Sequence, residues 1–264
     1  MSKTIFITGA SAGLGKATAK LFASKGWKVI ATMRKPENET ELNQIENVTV
    51  LPLDVTNLTQ IKETTQKAIA SEVDVVFNNA GYGLYGAMEA VSDEQVVQEI
   101  NTNVLGVLRV TQAFIPYFRE KKAGMFITTT SIGGHVSFPL GSVYHATKWA
   151  LEGWSESVSF ELKQFGIIVK TVAPGLIKTD FNSRSLDYVP HPEYTALFEK
   201  LFSAFKPDDY SAPEPIAEII FEAATDGKDT LRYLAGADAI AIYKKRQQIG
   251  DEAFRKELEQ AFLN

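Results

Sequence analysis

The sequence predicts an α/β fold, a doubly wound parallel sheet with helices on both faces. Three observations carry this. Apolar runs rich in Val, Ile and Phe recur without polar alternation, as strands buried on both faces do. Longer segments of helical period separate them. No repeat, low-complexity tract or Gly/Ser linker divides the 264 residues, so one domain spanning 1–264 is expected.

Seven strands are expected in order: KTIFIT (3–8), KVIATM (28–33), VTVLPL (48–53), VDVVFN (73–78), MFITTT (125–130), IIVKTVA (167–173) and LRYLA (231–235). The helices between them are expected near 13–25, 57–71, 93–121, 143–165 and 213–225. The segment 243–264 reads as a further charged helix, covering the pocket mouth or modifying assembly. The stretch 176–211 breaks the rhythm. It holds Pro190, Pro192 and Pro207 and seven aromatics: Phe181, Tyr188, Tyr194, Phe198, Phe202, Phe205 and Tyr210. A connection this long is usually functional or disordered, and the aromatics favour a partly helical substrate lid.

Composition narrows the function. The chain is 45% hydrophobic and 22% charged, with a net charge of −5 and a pI near 5.4. It lacks the basic footprint that nucleic acids or anionic membranes require. Cysteine is absent, which excludes disulfides, thiolate catalysis and cysteine-ligated zinc. His135, His145 and His191 show no metal spacing, so no metal site is expected. No apolar stretch reaches the roughly 18 to 20 residues of a membrane span and no secretory apolar region is evident, so the expected location is cytoplasmic.

The first strand runs into TGASAGLG (8–15). Gly9 can make a tight exit, Gly13 allows close backbone approach, and Gly15 lets the helix pack on the sheet. The helix amino terminus then offers N–H groups and a positive dipole to a phosphate. The spacing differs from G-x-G-x-x-G, and a βα turn without ligand is the competing reading. The second strand ends ATMRK (31–35), without a carboxylate to bond the ribose 2′-hydroxyl of NAD. Arg34 can meet the 2′-phosphate of NADP bidentately, and Ser11 can add a hydroxyl donor. NADP(H) is therefore expected as the preferred cofactor, with NAD(H) possible; the alternative is that Arg34 and Lys35 are solvated loop charges.

In YHATK (144–148), Tyr144 and Lys148 stand one helical turn apart on one face. An ammonium about 5 Å from a phenol, at an effective dielectric near 20, favours the phenolate by about 3 kcal/mol, or about two pK units, less whatever desolvation costs. The phenol is thus expected to move toward the pH where protons exchange with an alcohol or carbonyl oxygen. Ser131, at the carboxyl end of a strand, can hold that oxygen. Alone, the Tyr144/Lys148 pair would equally suit an amphipathic surface.

Gly9, Gly13 and Gly15, then NNAG (78–81), then YHATK, in this order over the whole chain, resemble the short-chain dehydrogenase/reductase family. The resemblance implies a seven-stranded Rossmann fold and hydride exchange between a nicotinamide cofactor and an alcohol or carbonyl compound. It implies Tyr144 as general acid/base, Ser131 on the substrate oxygen, Lys148 on the nicotinamide ribose, and Asn103 in NVLG supporting a water that relays protons to Lys148. The cofactor would be met by the turn residues including Ser11 and Leu14, by Asp54 and Val55 at the adenine, and by the backbone of Asn78, Ala80 and Gly81. Pro174, Gly175 and Thr179 follow, Thr179 near the carboxamide. Ala12 stands where many members carry a basic residue.

The family also implies a homodimer or homotetramer in which helices near 104–121 and 143–165 pair, with Trp149, Trp154 and Phe114 serving the interface or the core. Tyr82, Leu84, Val136 to Leu140, Leu176 and the aromatic segment form an apolar pocket wall, which suits a hydrophobic ketone, aldehyde or alcohol. His135 either borders the substrate or packs within the protein, and His145 is expected to pack away from it. The ATMRK, SIGG and aromatic segments resemble the hydroxysteroid and retinol-type branch. Two rivals are a non-catalytic NAD(P)-binding redox sensor and an extended-branch epimerase or dehydratase. The complete Ser131, Tyr144 and Lys148 set argues against the first, the chain length and glycine spacing against the second.

Overall fold

All seven expected strands form one parallel sheet in the computed structural model, which describes residues 2–178, 186–205 and 210–263. They are β1 (Thr4–Ile7), β2 (Lys28–Met33), β3 (Val48–Pro52), β4 (Val75–Asn78), β6 (Gly124–Thr129), β7 (Ile167–Pro174) and β9 (Arg232–Ala235). Their order is β3-β2-β1-β4-β6-β7-β9. The winding reverses between β1 and β4, and open α/β sheets bind ligands at the carboxyl ends of such a switch.

Alternate side chains divide the core between the two faces. Ile5 and Ile7 face Phe22 of α1 (Gly13–Ser24) and Ile220 of α7 (Pro213–Thr225). Phe6 faces the other way, into a cluster with Ile61 of α2 (Leu58–Ile69), Phe114 and Phe118 of α4 (Gly106–Lys121), and Val158 and Leu162 of α5 (Ser142–Lys163). Phe6 and Phe114 meet at 5.0 Å, and Phe114 is wholly buried, so it belongs to the core and offers nothing to an interface. Trp154 packs against the same cluster, whereas Trp149 is 43% exposed.

Three features depart from the sequence reading. The helix expected over 93–121 is interrupted. α3 (Asp93–Ile100), started by a Ser92/Gln95 capping box, runs into a π turn over 101–105 before α4. Such turns are frequent at functional sites because the extra residue re-aims a side chain, here Asn103. The second departure is a two-stranded parallel sheet, β5 (Gly83–Gly86) with β8 (Leu186–Val189), which ties the aromatic segment to the chain after NNAG. That segment also carries α6 (Thr195–Ala204), and its ends are joined by Lys178 N–H to Ser211 O at 2.7 Å and Ser211 N–H to Leu176 O at 2.9 Å. Third, the carboxyl-terminal helix begins earlier and is double: α8 (Ala237–Ile249) and α9 (Asp251–Leu263), divided at Gly250, whose φ of +82° suits glycine. Phe254 and Phe262 are buried, and Phe254 joins Ile132 and Val136 in a small core beneath the loop that follows Ser131. Among the described residues no helix is long and apolar enough to cross a membrane.

Candidate active site

The glycine turn sits at the switch between β1 and β4. Gly9 has φ +69° and Gly13 φ +52°, the left-handed region in which a Cβ is costly. A Cβ on Gly15 would lie 2.3 Å from the Gly9 carbonyl oxygen, so only glycine lets α1 start this close to the turn. α1 has no side-chain cap and no acidic residue in its first turn. Its free N–H groups and dipole therefore remain for an anion. Leu14 turns its side chain into the core, leaving only its backbone to the turn; Ser11 is exposed.

Asn79, the neighbour of the expected Asn78, holds this cradle. Its Nδ2 donates to the Thr8 and Gly9 carbonyls, both at 3.1 Å. Thr8 Oγ1 in turn accepts from Asn79 N–H at 2.9 Å and Ala80 N–H at 3.0 Å. Asn78 points into the protein, donating to Thr111 Oγ1 at 3.0 Å. Gly81 passes so near Asn103 that a Cβ would stand 3.0 Å from its Oδ1.

Arg34 and Lys35 are exposed immediately after β2. Lys16 on α1, another basic group, is held by Glu39 at 3.1 Å and Glu41 at 2.8 Å and so is neutralised. Asp54 uses Oδ1 to accept from Thr56 N–H at 2.9 Å and Thr56 Oγ1 at 2.7 Å, which shapes the turn after β3. Val55 is buried where a Cβ on Gly106 would lie 2.8 Å from its Cγ2. At the far end Pro174 closes β7, and Gly175 leaves room for Asp238, whose Oδ2 accepts from Leu176 N–H at 2.7 Å. Thr179 lies outside the described residues, as do Phe181 and Pro207.

Ser131 stands just beyond β6, and its Oγ accepts from Gly133 N–H at 3.0 Å. His145 pins this loop to α5. Its Nε2 accepts from Phe138 N–H at 3.0 Å, which requires that Nδ1 carry the proton donated to Gly133 O at 2.9 Å. Burial holds its pKa below the ordinary histidine value, in keeping with the neutral ring. His135 turns toward the carboxyl-terminal helices. Its ring packs on Tyr243 at 5.2 Å and meets Glu152 at 3.3 Å, because Val136 and α8 draw the loop toward the carboxyl-terminal helices.

Tyr144 and Lys148 share one face of α5, with Lys148 Nζ 5.8 Å from the phenol ring centroid and donating to Thr129 O at 3.0 Å. The expected lowering of the phenol does not occur. Burial pushes Tyr144 up to about 12, with the Ser131 hydroxyl drawing it down and the Glu99 charge adding repulsion. Burial also pushes Lys148 down to about 8, against the pull of Glu99 and Glu152. At neutral pH the pair is a protonated phenol beside an ammonium.

Asn103 is buried and fastens the segment after NNAG to α5. Oδ1 accepts from Tyr82 N–H at 3.0 Å, while Nδ2 donates to Tyr82 O at 2.8 Å and Thr147 Oγ1 at 3.2 Å. The open side of Tyr144 faces aromatics. Tyr85 lies 5.8 Å from it, Phe202 6.3 Å from Tyr85, Phe198 4.2 Å from Phe202, and Tyr188 3.9 Å from Phe198. Leu84 and Val136, expected on the pocket wall, are buried.

Sequence reasoning missed Asn79, Tyr85, Glu99 and Asp238. Asn79 lay inside the NNAG motif, and Tyr85 three residues beyond Tyr82, so both had a signal; the other two depend on contacts that no spacing shows. The uncapped helix start, the glycine cradle and the Tyr144/Lys148 pair fit a nicotinamide dinucleotide. Among the described residues, no three His, Asp or Glu side chains gather as a metal would need.

Residues 3–188 match the model of the short chain dehydrogenase family. The chain is 40% identical over 226 residues to an uncharacterized oxidoreductase of Schizosaccharomyces pombe, covering 84% of this chain and 96% of that one. It superimposes with a TM-score of 0.86 on a short-chain dehydrogenase from Streptomyces avermitilis, 30% identical, covering 98% and 96% of the two chains. A short chain dehydrogenase from Burkholderia cenocepacia, solved in complex with NADP, is 25% identical with a TM-score of 0.78, covering 100% of this chain and 98% of that one.

Proposed function

This chain belongs to the short chain dehydrogenase family, and we propose that it is an NADP(H)-dependent oxidoreductase interconverting a hydrophobic ketone or aldehyde and its alcohol. The observation that carries this reading is the meeting of Ser131, Tyr144 and Lys148 beside a phosphate cradle at the switch of the sheet.

When bound, the reduced nicotinamide supplies a hydride to the carbonyl carbon. Ser131 holds the carbonyl oxygen, and Tyr144, protonated at neutral pH, hands its proton to that oxygen as negative charge builds there. Lys148 offsets the phenolate left behind. In the oxidative direction the same groups act in reverse. The aromatic segment serves as a lid, and its Phe198–Phe202–Tyr85 stack supports an apolar substrate. Exposed Arg34 supports NADP(H) over NAD(H), since it is free to meet a 2′-phosphate. The outward face of α5, with Trp149 43% and Phe160 72% exposed, supports a homodimer or homotetramer.

The test is NADPH and NADH consumption against a panel of apolar ketones and aldehydes, with Tyr144→Phe alongside. The variant is expected to bind NADPH as tightly as the parent while turnover falls by about 10²- to 10⁴-fold. Turnover retained in Tyr144→Phe would remove the assignment.

A further inference from the structure

Glu99 stands in the last turn of α3 and is wholly buried. Its Oε1 accepts from Leu84 N–H at 3.0 Å and from Asn103 Nδ2 at 3.4 Å. Its Oε2 is buried without a hydrogen-bond partner among the described residues. A carboxylate so placed is costly unless a cation compensates it.

The groups facing it can be named element by element. α5 presents Lys148 and Tyr144, the chain around β5 presents Tyr82 and Tyr85, and β8 presents Asp187. Of these, Lys148 alone carries positive charge. Lys148 is also faced by Glu152 of α5, but that carboxylate is engaged with Arg232 at 2.9 Å and His135 at 3.3 Å. Each carboxylate keeps one buried oxygen without a hydrogen-bond partner among the described residues, but Glu152 is compensated by the Arg232 guanidinium, whereas Lys148 is the cation that faces Glu99.

Building on the proposed proton transfer through Tyr144 and Lys148, we propose that Glu99 is a positioning residue: its carboxylate keeps Lys148 charged and holds Asn103 and the Leu84 backbone in place. One buried group thereby sets both the charge of the catalytic lysine and the seat of the strand on which the lid is hung. The ionisation of the two groups agrees with this geometry. Burial pushes Glu99 up to about 7, against Leu84 N–H and Lys148, while Lys148 is pushed down to about 8. Each opposes the effect of burial on the other.

The decisive variant is Glu99→Gln, which keeps an oxygen for Leu84 N–H and Asn103 but removes the charge. Without it Lys148 loses its proton at lower pH. The alkaline limb of kcat/KM is therefore expected to move down by about one pH unit, a roughly tenfold loss on that limb, while the unfolding midpoint shows an intact fold. Glu99→Asp, which keeps the charge, is expected to retain the parent limb. A folded Glu99→Gln with the parent profile would overturn the role. Should Glu99→Gln not fold, NMR titration of the parent decides: Lys148 side-chain shifts that respond as Glu99 ionises support the role, and shifts blind to that step overturn it. Tyr144→Phe in the same series separates the two ideas, because its inactivity beside an unmoved Glu99→Gln profile sinks only the role of Glu99, whereas its retained turnover sinks the oxidoreductase chemistry itself.

Discussion

An ammonium one helical turn from a phenol draws off the phenolic proton, and a desolvated setting holds it on; at Tyr144 the second effect is the larger. Charge attraction at about 5 Å is worth about two pK units. Burial acts the other way, pushing the phenol up to about 12 and the Lys148 ammonium down to about 8. Tyr144 is therefore poised as an acid, the state that carbonyl reduction needs. At the other end of the cleft Arg34 stands exposed with no carboxylate at the strand end. Arg34→Ala is expected to weaken NADPH binding by roughly 10- to 100-fold, the worth of a charge-assisted bidentate contact, and to leave NADH binding unchanged. Titrating both cofactors by fluorescence checks this, and equal effects on the two would show that Arg34 does not read the 2′-phosphate.

Single elements are held in working positions by a few polar staples. The loop after β6 is fixed to α5 by His145, which bridges Gly133 O and Phe138 N–H. His145→Leu leaves the buried Gly133 carbonyl unpaired, at a cost of about 1–3 kcal/mol, and frees the part-buried Phe138 N–H. The variant is expected to unfold at lower denaturant and to lose turnover as Ser131 drifts; an unchanged midpoint would mean that the loop is held by other means. The π turn over 101–105 works similarly for Asn103. A Ser92/Gln95 capping box starts the helix before it, whereas nothing in the spacing marks the turn itself. Apolar periodicity runs through 93–121 without a break, and the extra residue is accommodated where Gly106 packs on Val55.

Across the whole molecule, the sheet, its winding and the glycine cradle bring β1, β4, β6 and α5 to one crevice. The aromatic segment closes toward that crevice through β8 on β5, and the α8–α9 hairpin backs it from below, with Phe262 6.5 Å from Phe138. Neither arrangement covers the outer face of α5, where Phe160 is 72% exposed. Light scattering on the purified chain is expected to give the mass of two or four copies, and Phe160→Glu to lower it. The mass of one copy in the parent would exclude the assembly.

The sequence by itself determined the seven strands, their parallel sense, the turn at Gly9–Gly15 and the shared face of Tyr144 and Lys148. Each of these is local: burial on both faces writes an unbroken apolar run, and a spacing of four writes a helical face. Only the tertiary structure decided that His135 turns toward Glu152 and Tyr243, that Asn79 rather than Asn78 braces the cradle, that β5 finds β8, and that Glu99 bonds Leu84 and Asn103. These depend on partners far apart in the chain. The ionisation of Tyr144 belongs with them, because desolvation is a property of everything packed around a group and leaves no mark on the residues beside it.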